Sequence, residues 1–426
     1  MAIFRPEYEA LERPALEALQ LERLRALVER LRASSAVYGE RLRGIPAPRS
    51  LEDLAALPMT TKDDLRESYP LGMLAVSSER LARIHASSGT TGNPTITAYT
   101  REDLRIFGEV NARSLAAAGI RPGEMFQVAW GYGLFTGGLG MHGGCETLGA
   151  CAVPASSGNT ARQLQLLCDL PVVGIGATPS YALVLAERLR AENRRPKALR
   201  YALCGAEAWT REMRAELEAL LGVTATNIYG LTEIIGPGVA QECLEKAGLH
   251  VQEDHFLAEV VDPESGAPLP EGARGELVLT TLTREAMPVL RYRTRDLTSL
   301  VRERCACGRT TARIDWFTGR VDDMLVIRGI NVFPSAVEEV LLRFAELSPN
   351  YRIVVDRPPN GLDVMLVEVE HQPDAAIDDV DVLAEIVTGR LAETLLVSLH
   401  ARVLPPGTIE RIEAGKAKRV IDRRTL

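Results

Sequence analysis

Between Leu16 and Arg32 the apolar residues Leu24, Leu27, Val28 and Leu31 recur at three- and four-residue spacing, which predicts an amphipathic helix near the N-terminus. From about residue 105 to 235 the pattern changes. Short apolar runs, Phe126 to Trp130, Cys151 to Pro154 and Val172 to Ala177, read as strands, while Gln163 to Leu167 and Tyr181 to Ala191 read as parts of the intervening helices. Strands alternating with helices imply crossover units and a mostly parallel sheet with covered faces. Between Leu257 and Thr283 a turn-rich stretch, DPESGAPLPEGARG, leads into GELVLTTLT, and the pairing expected there is antiparallel. Beyond Gly319 the chain reads as a compact unit, with strands at Ile353 to Val355 and Met365 to Glu370, a helix over Val380 to Leu391 and a last strand at Leu399 to Leu404. The predicted fold class is α/β: a large N-terminal domain over residues 1–320 with mostly parallel sheets, and a small C-terminal α+β domain over 321–426.

A length of 426 residues agrees with one large and one small domain. An apolar fraction of 46% and a charged fraction of 25% are those of a globular protein that buries its own core. The 49 Lys and Arg against 57 Asp and Glu give −8, spread along the chain, with no basic stripe; a nucleic-acid partner is excluded on that ground. The opening MAIFRPEYEALERP carries early charges and does not read as a secretory signal. No apolar run reaches the ~20 residues that cross a bilayer, so no membrane partner is expected. Seven cysteines without a regular framework fit a reducing cytoplasm.

Four segments carry candidate chemistry. Ser87-Ser88-Gly89-Thr90-Thr91-Gly92 combines glycines, which let backbone N–H groups turn inward, with hydroxyl donors, a composition that can wrap a polyphosphate or make an ordinary polar turn. Asn93 and Pro94 follow it, so it is not the GxxxxGK phosphate loop. Tyr229-Gly230-Leu231-Thr232-Glu233 offers a ring to stack on a base and a carboxylate able to hold Mg²⁺. Tyr292-Arg293-Thr294-Arg295-Asp296 sets an acid among cations, either a ribose-binding carboxylate or a solvated ion-pair cluster. Gly415-Lys416-Ala417-Lys418-Arg419 is either a mobile cation or a wet surface.

In their order these segments resemble the acyl-adenylate-forming enzymes, and within them the phenylacetate–coenzyme A ligase family. The resemblance runs through RIHASSGTTG (Arg83 to Gly92), GYGLFTGGLG (Gly131 to Gly140), TPSYAL (Thr178 to Leu183), CGAEAWT (Cys204 to Thr210), IYGLTEIIGPGVAQEC (Ile228 to Cys243), EDHF (Glu253 to Phe256), GELVLTTLTREAMPVLRYRTRDLT (Gly275 to Thr298), GRVDDMLVIRGINVFPS (Gly319 to Ser335) and GKAKRVID (Gly415 to Asp422). It implies activation of an aromatic carboxylate by ATP and Mg²⁺, then transfer of the acyl group to coenzyme A. It also admits a homodimer.

The resemblance places Ser87 to Gly92 on the ATP phosphates, and Gly205, Ala206 and Glu207 along the adenine with Tyr229 stacked on it. Glu233 would ligate Mg²⁺, and Asp296 would bind the ribose with help from Arg320. Gly230 and Thr232 belong to the same nucleotide site. Lys416 would reach the carboxylate and α-phosphate in the first half-reaction, with Lys418 as a minor rival. The small domain would then rotate about Asp322 to clear the way for the thiol. Cys243, His250, Cys305 and Cys307 correspond to a set found in one branch of the family. Three thiolates and an imidazole suit a closed, structural, tetrahedral Zn²⁺. The remaining Cys145, Cys151, Cys168 and Cys204 lie in apolar runs and read as core residues.

Trp130, Phe135 and Gly143 are assigned to the acyl pocket. The family often has Tyr where Trp130 stands and AHYGAE where this chain has Met141 to Glu146, so the pocket is expected to be reshaped. The family's usual Lys is replaced by Asn93. Two rival readings are an adenylating enzyme whose acceptor is a carrier-protein phosphopantetheine or an amine, and a non-catalytic zinc-bearing interaction protein. The presence of Lys416, Glu233 and Asp296 together argues against the second rival.

Overall fold

The N-terminal periodicity folds as one helix, Arg13–Ser34, which buries Leu24, Leu27, Val28 and Leu31. The fold is taken from a computed structural model that describes residues 3–86, 94–207, 209–317, 325–327, 330–357, 363–395, 397–410 and 419–424. The helix docks on the EDHF segment. Arg13 grips the Glu253 carboxylate with both terminal nitrogens (2.9 and 2.8 Å), Gln20 donates to the Glu253 carbonyl at 2.9 Å, and Arg23 donates to the Asp254 carbonyl.

A nine-stranded sheet organises the large domain. Its order is Leu300–Val301, Arg313–Ile314, Leu249–Val251, Gly236–Glu242, Thr224–Leu231, Tyr201–Gly205, Val172–Ala177, Met125–Val128, Cys151–Val153. The five strands from Thr224–Leu231 to Cys151–Val153 are parallel, joined by helices as the pattern predicts. The other four pair antiparallel, so this sheet is mixed rather than mostly parallel. The reversal occurs at the turn after Thr224–Leu231, where the chain doubles back as Gly236–Glu242. A separate antiparallel sheet joins Phe256–Val261, Gly275–Thr281 and Tyr292–Thr298, as expected from its turns.

The helix Thr136–Leu148 goes against propensity, for TGGLGMHGGCETL holds five glycines, each costing ~1 kcal/mol relative to alanine. Packing explains it. A methyl group at Gly140 would strike the Phe107 ring, and one at Gly144 would strike Asn111, both on the neighbouring helix Arg101–Ala117. Side chains would hold the two helices apart.

The C-terminal part has its own apolar core, starting at Leu325. Its four-stranded sheet runs His400–Leu404, Val364–His371, Leu347–Asp356, Val420–Asp422. Leu399 to Leu404 is therefore not the last strand: Val420–Asp422 enters parallel to Leu347–Asp356, a non-local pairing that three residues do not announce. The helix Pro334–Leu341 was also not anticipated. Cys145 and Cys204 are core residues, but Cys168 is half-buried and Cys151 is exposed, because Cys151 opens the short edge strand of the large sheet. No helix of the described residues is long and apolar enough to cross a membrane.

Candidate active site

The turn at which the sheet reverses brings two distant motifs together. Tyr229, near the end of Thr224–Leu231, donates its phenolic O–H to Asp296 Oδ2 at 2.6 Å. Asp296 lies on Tyr292–Thr298 of the other sheet, so this bond spans the two sheets. Arg295, just before it, has φ of 66°, and the strand register shifts opposite it between Glu276 and Val278. Such a bulge re-aims the next side chain. The neighbouring cations do not pair with Asp296: Arg293 and Arg295 take Glu276, at 2.5 and 3.7 Å. Phe317 packs on the Tyr229 ring with centroids 4.3 Å apart.

Gly205 ends the adjacent strand, where a Cβ would collide with the Ile228 carbonyl. Ala206 follows at φ 74°, a conformation strained for any residue with a side chain. Glu207 then reaches the N-terminus of Pro179–Ala191, where Oε1 accepts from the Ser180 N–H at 2.7 Å. Free N–H groups and the helix dipole favour a carboxylate there. At Gly230 a Cβ would overlap the Gly236 carbonyl, so only glycine permits the turn. Thr232 Oγ1 lies 3.5 Å from Thr136 Oγ1.

Glu233 is buried, and its carboxylate sits 3.8 Å from Lys62 Nζ. Lys62 opens a short helix capped reciprocally by Thr61 and Asp64. Sequence reasoning missed Lys62, Phe317 and Arg284, whose Nη1 donates to the Glu233 carbonyl at 3.0 Å. The capping box was readable in TKDD; its neighbourhood with Glu233 was not.

Of the three residues assigned to the acyl pocket, Gly143 lines a groove whose lining does not include Trp130 or Phe135. Trp130 is buried in a cluster with Phe126, Met141 and Cys145, and its indole Nε1 has no partner among the described residues. Phe135 is exposed at the start of Thr136–Leu148. The Gly143 groove, of about 240 Å³ between Thr136–Leu148 and Arg101–Ala117, is lined also by Phe107 and His142. Phe107 stands between this groove and the turn, since a Cβ at either Gly140 or Gly236 would strike its ring.

The cysteine–histidine set does converge. The ligand atoms of Cys243, His250, Cys305 and Cys307 all lie within 4.8 Å of one another, and all four residues are buried. Cys243 and Cys305 sulfurs are 3.9 Å apart, and Cys307 Sγ is 3.6 Å from His250 Nε2. A tetrahedron with ~2.3 Å metal–sulfur bonds has edges of roughly 3.8 Å, so the donor set fits Zn²⁺. His250 Nδ1 lies 3.2 Å from Thr311 Oγ1, which orients Nε2 toward the sulfurs. Contact with Cys243, then with His250, holds the Cys307 thiol well below its ordinary value against the opposing effect of burial. Arg309 donates to Cys307 Sγ at 3.6 Å and to Glu9 at 2.6 Å, tying the centre to the N-terminal segment.

Ser87 to Gly92, Asn93, Arg320, Asp322, Lys416 and Lys418 lie outside the described residues.

The reversing α/β sheet thus joins Tyr229 to Asp296 beside its turn, and the family matches place the chain among adenylate-forming enzymes. Residues 18–283 match the AMP-binding enzyme family and 329–424 match the AMP-binding enzyme C-terminal domain. Phenylacetate-coenzyme A ligase of Thermus thermophilus is 50% identical over 450 residues, covering 99% of this chain and 100% of that one. The Escherichia coli enzyme of the same name is 44% identical over 422 residues, 96% of this chain and 95% of its own. The chain belongs to the phenylacetate–coenzyme A ligase family, and it is an AMP-forming acid–CoA ligase. Crystal structures of 2-hydroxyisobutyryl-CoA ligase, 28% identical, superpose with a TM-score of 0.91 in the postadenylation state, covering 98% of this chain and 92% of that one. The same enzyme in its thioesterification state, 29% identical, gives 0.73 with 98% and 91% covered.

Proposed function

We propose that this ligase activates a substituted aromatic carboxylate, with Tyr229 and Asp296 holding the nucleoside and Glu233 holding Mg²⁺. The Tyr229–Asp296 bond carries this reading. It joins a ring suited to adenine with a carboxylate suited to a ribose diol, at the end of a parallel strand where the sheet reverses. Glu207 and the Gly205–Ala206 corner would border the base, and Lys416 with Ser87 to Gly92 would meet the phosphates. Bound Mg²⁺ would offset negative charge as the carboxylate attacks the α-phosphorus, the bond to the β-phosphate breaks and pyrophosphate leaves. Lys416 would neutralise the carboxylate as it approaches, an electrostatic task worth most in a water-poor site. The resulting mixed anhydride loses AMP when the thiol of coenzyme A attacks the acyl carbon.

A boundary near Arg320 and a hinge at Asp322 are part of the proposal. The better match to the postadenylation state of the 28% identical relative supports two domain arrangements in this chain. Cys243, His250, Cys305 and Cys307 would hold a structural Zn²⁺, closed to substrate because all four positions are protein. Seven free cysteines support a reducing, cytoplasmic setting. Pyrophosphate exchange over a panel of aryl acids, followed by thioester formation with coenzyme A, tests the whole reading. Absence of exchange with every aromatic acid would overturn it.

A further inference from the structure

Arg284 belongs to the stretch LTTLTREAMP, a motif that neither half-reaction has used. It is only 1% exposed, yet among the described residues none of its acceptors is a carboxylate. Nη1 donates to the carbonyls of Glu233, at 3.0 Å, and of Ile234. Nη2 donates to Thr97 Oγ1 and, at 3.1 Å, to the Ala98 carbonyl. Among the described residues Nε has no partner, and the guanidinium lies 4.7 Å over the Tyr99 ring. A buried cation met only by neutral oxygens is costly. What it holds accounts for its presence.

Its two ends grip different parts of the site. One holds the backbone of the turn that carries Glu233. The other holds the strand Ile96–Tyr99, which pairs with Arg83–Ala86, and these two strands bracket residues 87–93. Tyr99 makes a second tie between the same parts, donating its O–H to the Ile235 carbonyl at 2.8 Å. Arg284 is itself fixed by its neighbours. Asp103 accepts from the N–H groups of Glu285 and Ala286 at 2.7 and 2.9 Å, and Thr100 donates to the Glu285 carboxylate at 2.9 Å.

We propose that Arg284 is a positioning residue for adenylate formation: it sets the spacing between the Glu233 turn and the strand pair that brackets residues 87–93. It acts through Glu233 and touches no substrate. The proposal rests on the reading of Glu233 as the Mg²⁺ ligand.

The test compares Arg284→Met, Arg284→Lys and Tyr99→Phe with the parent enzyme. Folding is followed by Tm, and each half-reaction is assayed separately. Calorimetric titration gives the Kd of ATP with and without Mg²⁺. Folded Arg284→Met should lose about 100-fold in pyrophosphate exchange. Conversion of supplied acyl-adenylate to thioester should stay within about threefold of the parent. The strengthening of ATP binding by Mg²⁺ should shrink, and Arg284→Lys should recover part of both losses. Equal damage to the two half-reactions would overturn the proposal, as would normal exchange and a normal Mg²⁺ effect in the folded variant. If Arg284→Met does not fold, parent-like behaviour of both Arg284→Lys and Tyr99→Phe overturns it instead. Glu233→Gln separates the two ideas: if it leaves exchange intact, the reading of Glu233 fails. If it destroys exchange while Arg284→Met does not, only the role of Arg284 is lost.

Discussion

The turn carrying Glu233 opens the strand Gly236–Glu242 and the cysteine–histidine centre begins just past its other end at Cys243, and the two regions treat polar groups differently. At the nucleotide end, Tyr229 and Glu207 stay half-buried and Ala206 is exposed in a strained conformation, although Asp296 and Glu233 beside them are buried. At the centre, all four candidate ligands are buried, and a further layer of Thr311, Arg309 and Glu9 closes around them. A site that must admit and release a nucleotide keeps surface open at strand ends. One that only has to hold the fold together closes every position. The difference agrees with the proposed division, turnover at the first and stability at the second.

Separating the two roles by mutation gives the largest expected effect. Lys416→Ala should lower adenylate formation by about 100-fold or more while a supplied acyl-adenylate is still converted to thioester. Lys418→Ala should do neither. Equal losses in both half-reactions would place Lys416 in the scaffold rather than at the reaction.

The centre should show the reverse pattern. Purified protein should contain about one Zn²⁺ per chain. Cys305→Ser should lower metal content and drop Tm by several degrees, with a smaller loss of activity per folded molecule. Elemental analysis finding no zinc, in protein purified without chelators, would remove the metal from the comparison. A folded variant with no activity would move the centre from stability to chemistry.

A third buried cluster sharpens the contrast through pH. Burial pushes the Glu338 carboxyl up to about 7 despite Arg419, whose Nη2 lies 3.2 Å away. A carboxyl raised in the folded state favours folding when protonated. Its stabilisation is complete below the unfolded value near 4.5 and is lost as pH rises through about 7. The unfolding free energy should therefore fall by roughly 1–3 kcal/mol between pH 5 and 8, lowering the denaturant midpoint, and Glu338→Gln should flatten that slope. An unchanged slope in the variant would show that Glu338 is not the titrating group.

The smallest effect concerns the acid. Phenylacetate should be a mediocre substrate, and a bulkier or substituted aryl acid should exceed it by about tenfold in kcat/KM. Gly143→Tyr should narrow that margin if the groove beside Phe107 serves the acyl group. Phenylacetate outperforming every substituted acid would show that neither Trp130 nor Gly143 reads the ring.

Much of this was legible in the residues. Period and turn chemistry located the helix over Leu16 to Arg32, the crossover strands and the antiparallel segment, since these are local properties. The placing of Tyr229 and Asp296 in one nucleotide site and the meeting of four zinc-type ligands were reached through resemblance, while the Tyr229–Asp296 bond itself appears only in the structure. His250 faces Arg313 across a strand pair, and only that register carries Cys305 and Cys307 to it. Arg284 and Lys62 left no trace, for each works through contacts far along the chain. The helix Thr136–Leu148 was hidden for another reason: close packing outweighed the poor propensity of its glycines.

That helix also has a consequence for how the protein can change. Gly140 and Gly144 face Phe107 and the backbone near Asn111, Gly138 faces the Gly131 carbonyl, and any added atom there meets something that must move. At Gly143 the nearest atom to a new Cβ is the Gly108 Cα, at an ordinary 3.8 Å. Of those four glycines, one is therefore open to mutation without rebuilding the helix pair. Lineages exploring new acids have a single cheap step there, a codon that can gain a side chain into the groove, while its neighbours are held to glycine by the architecture.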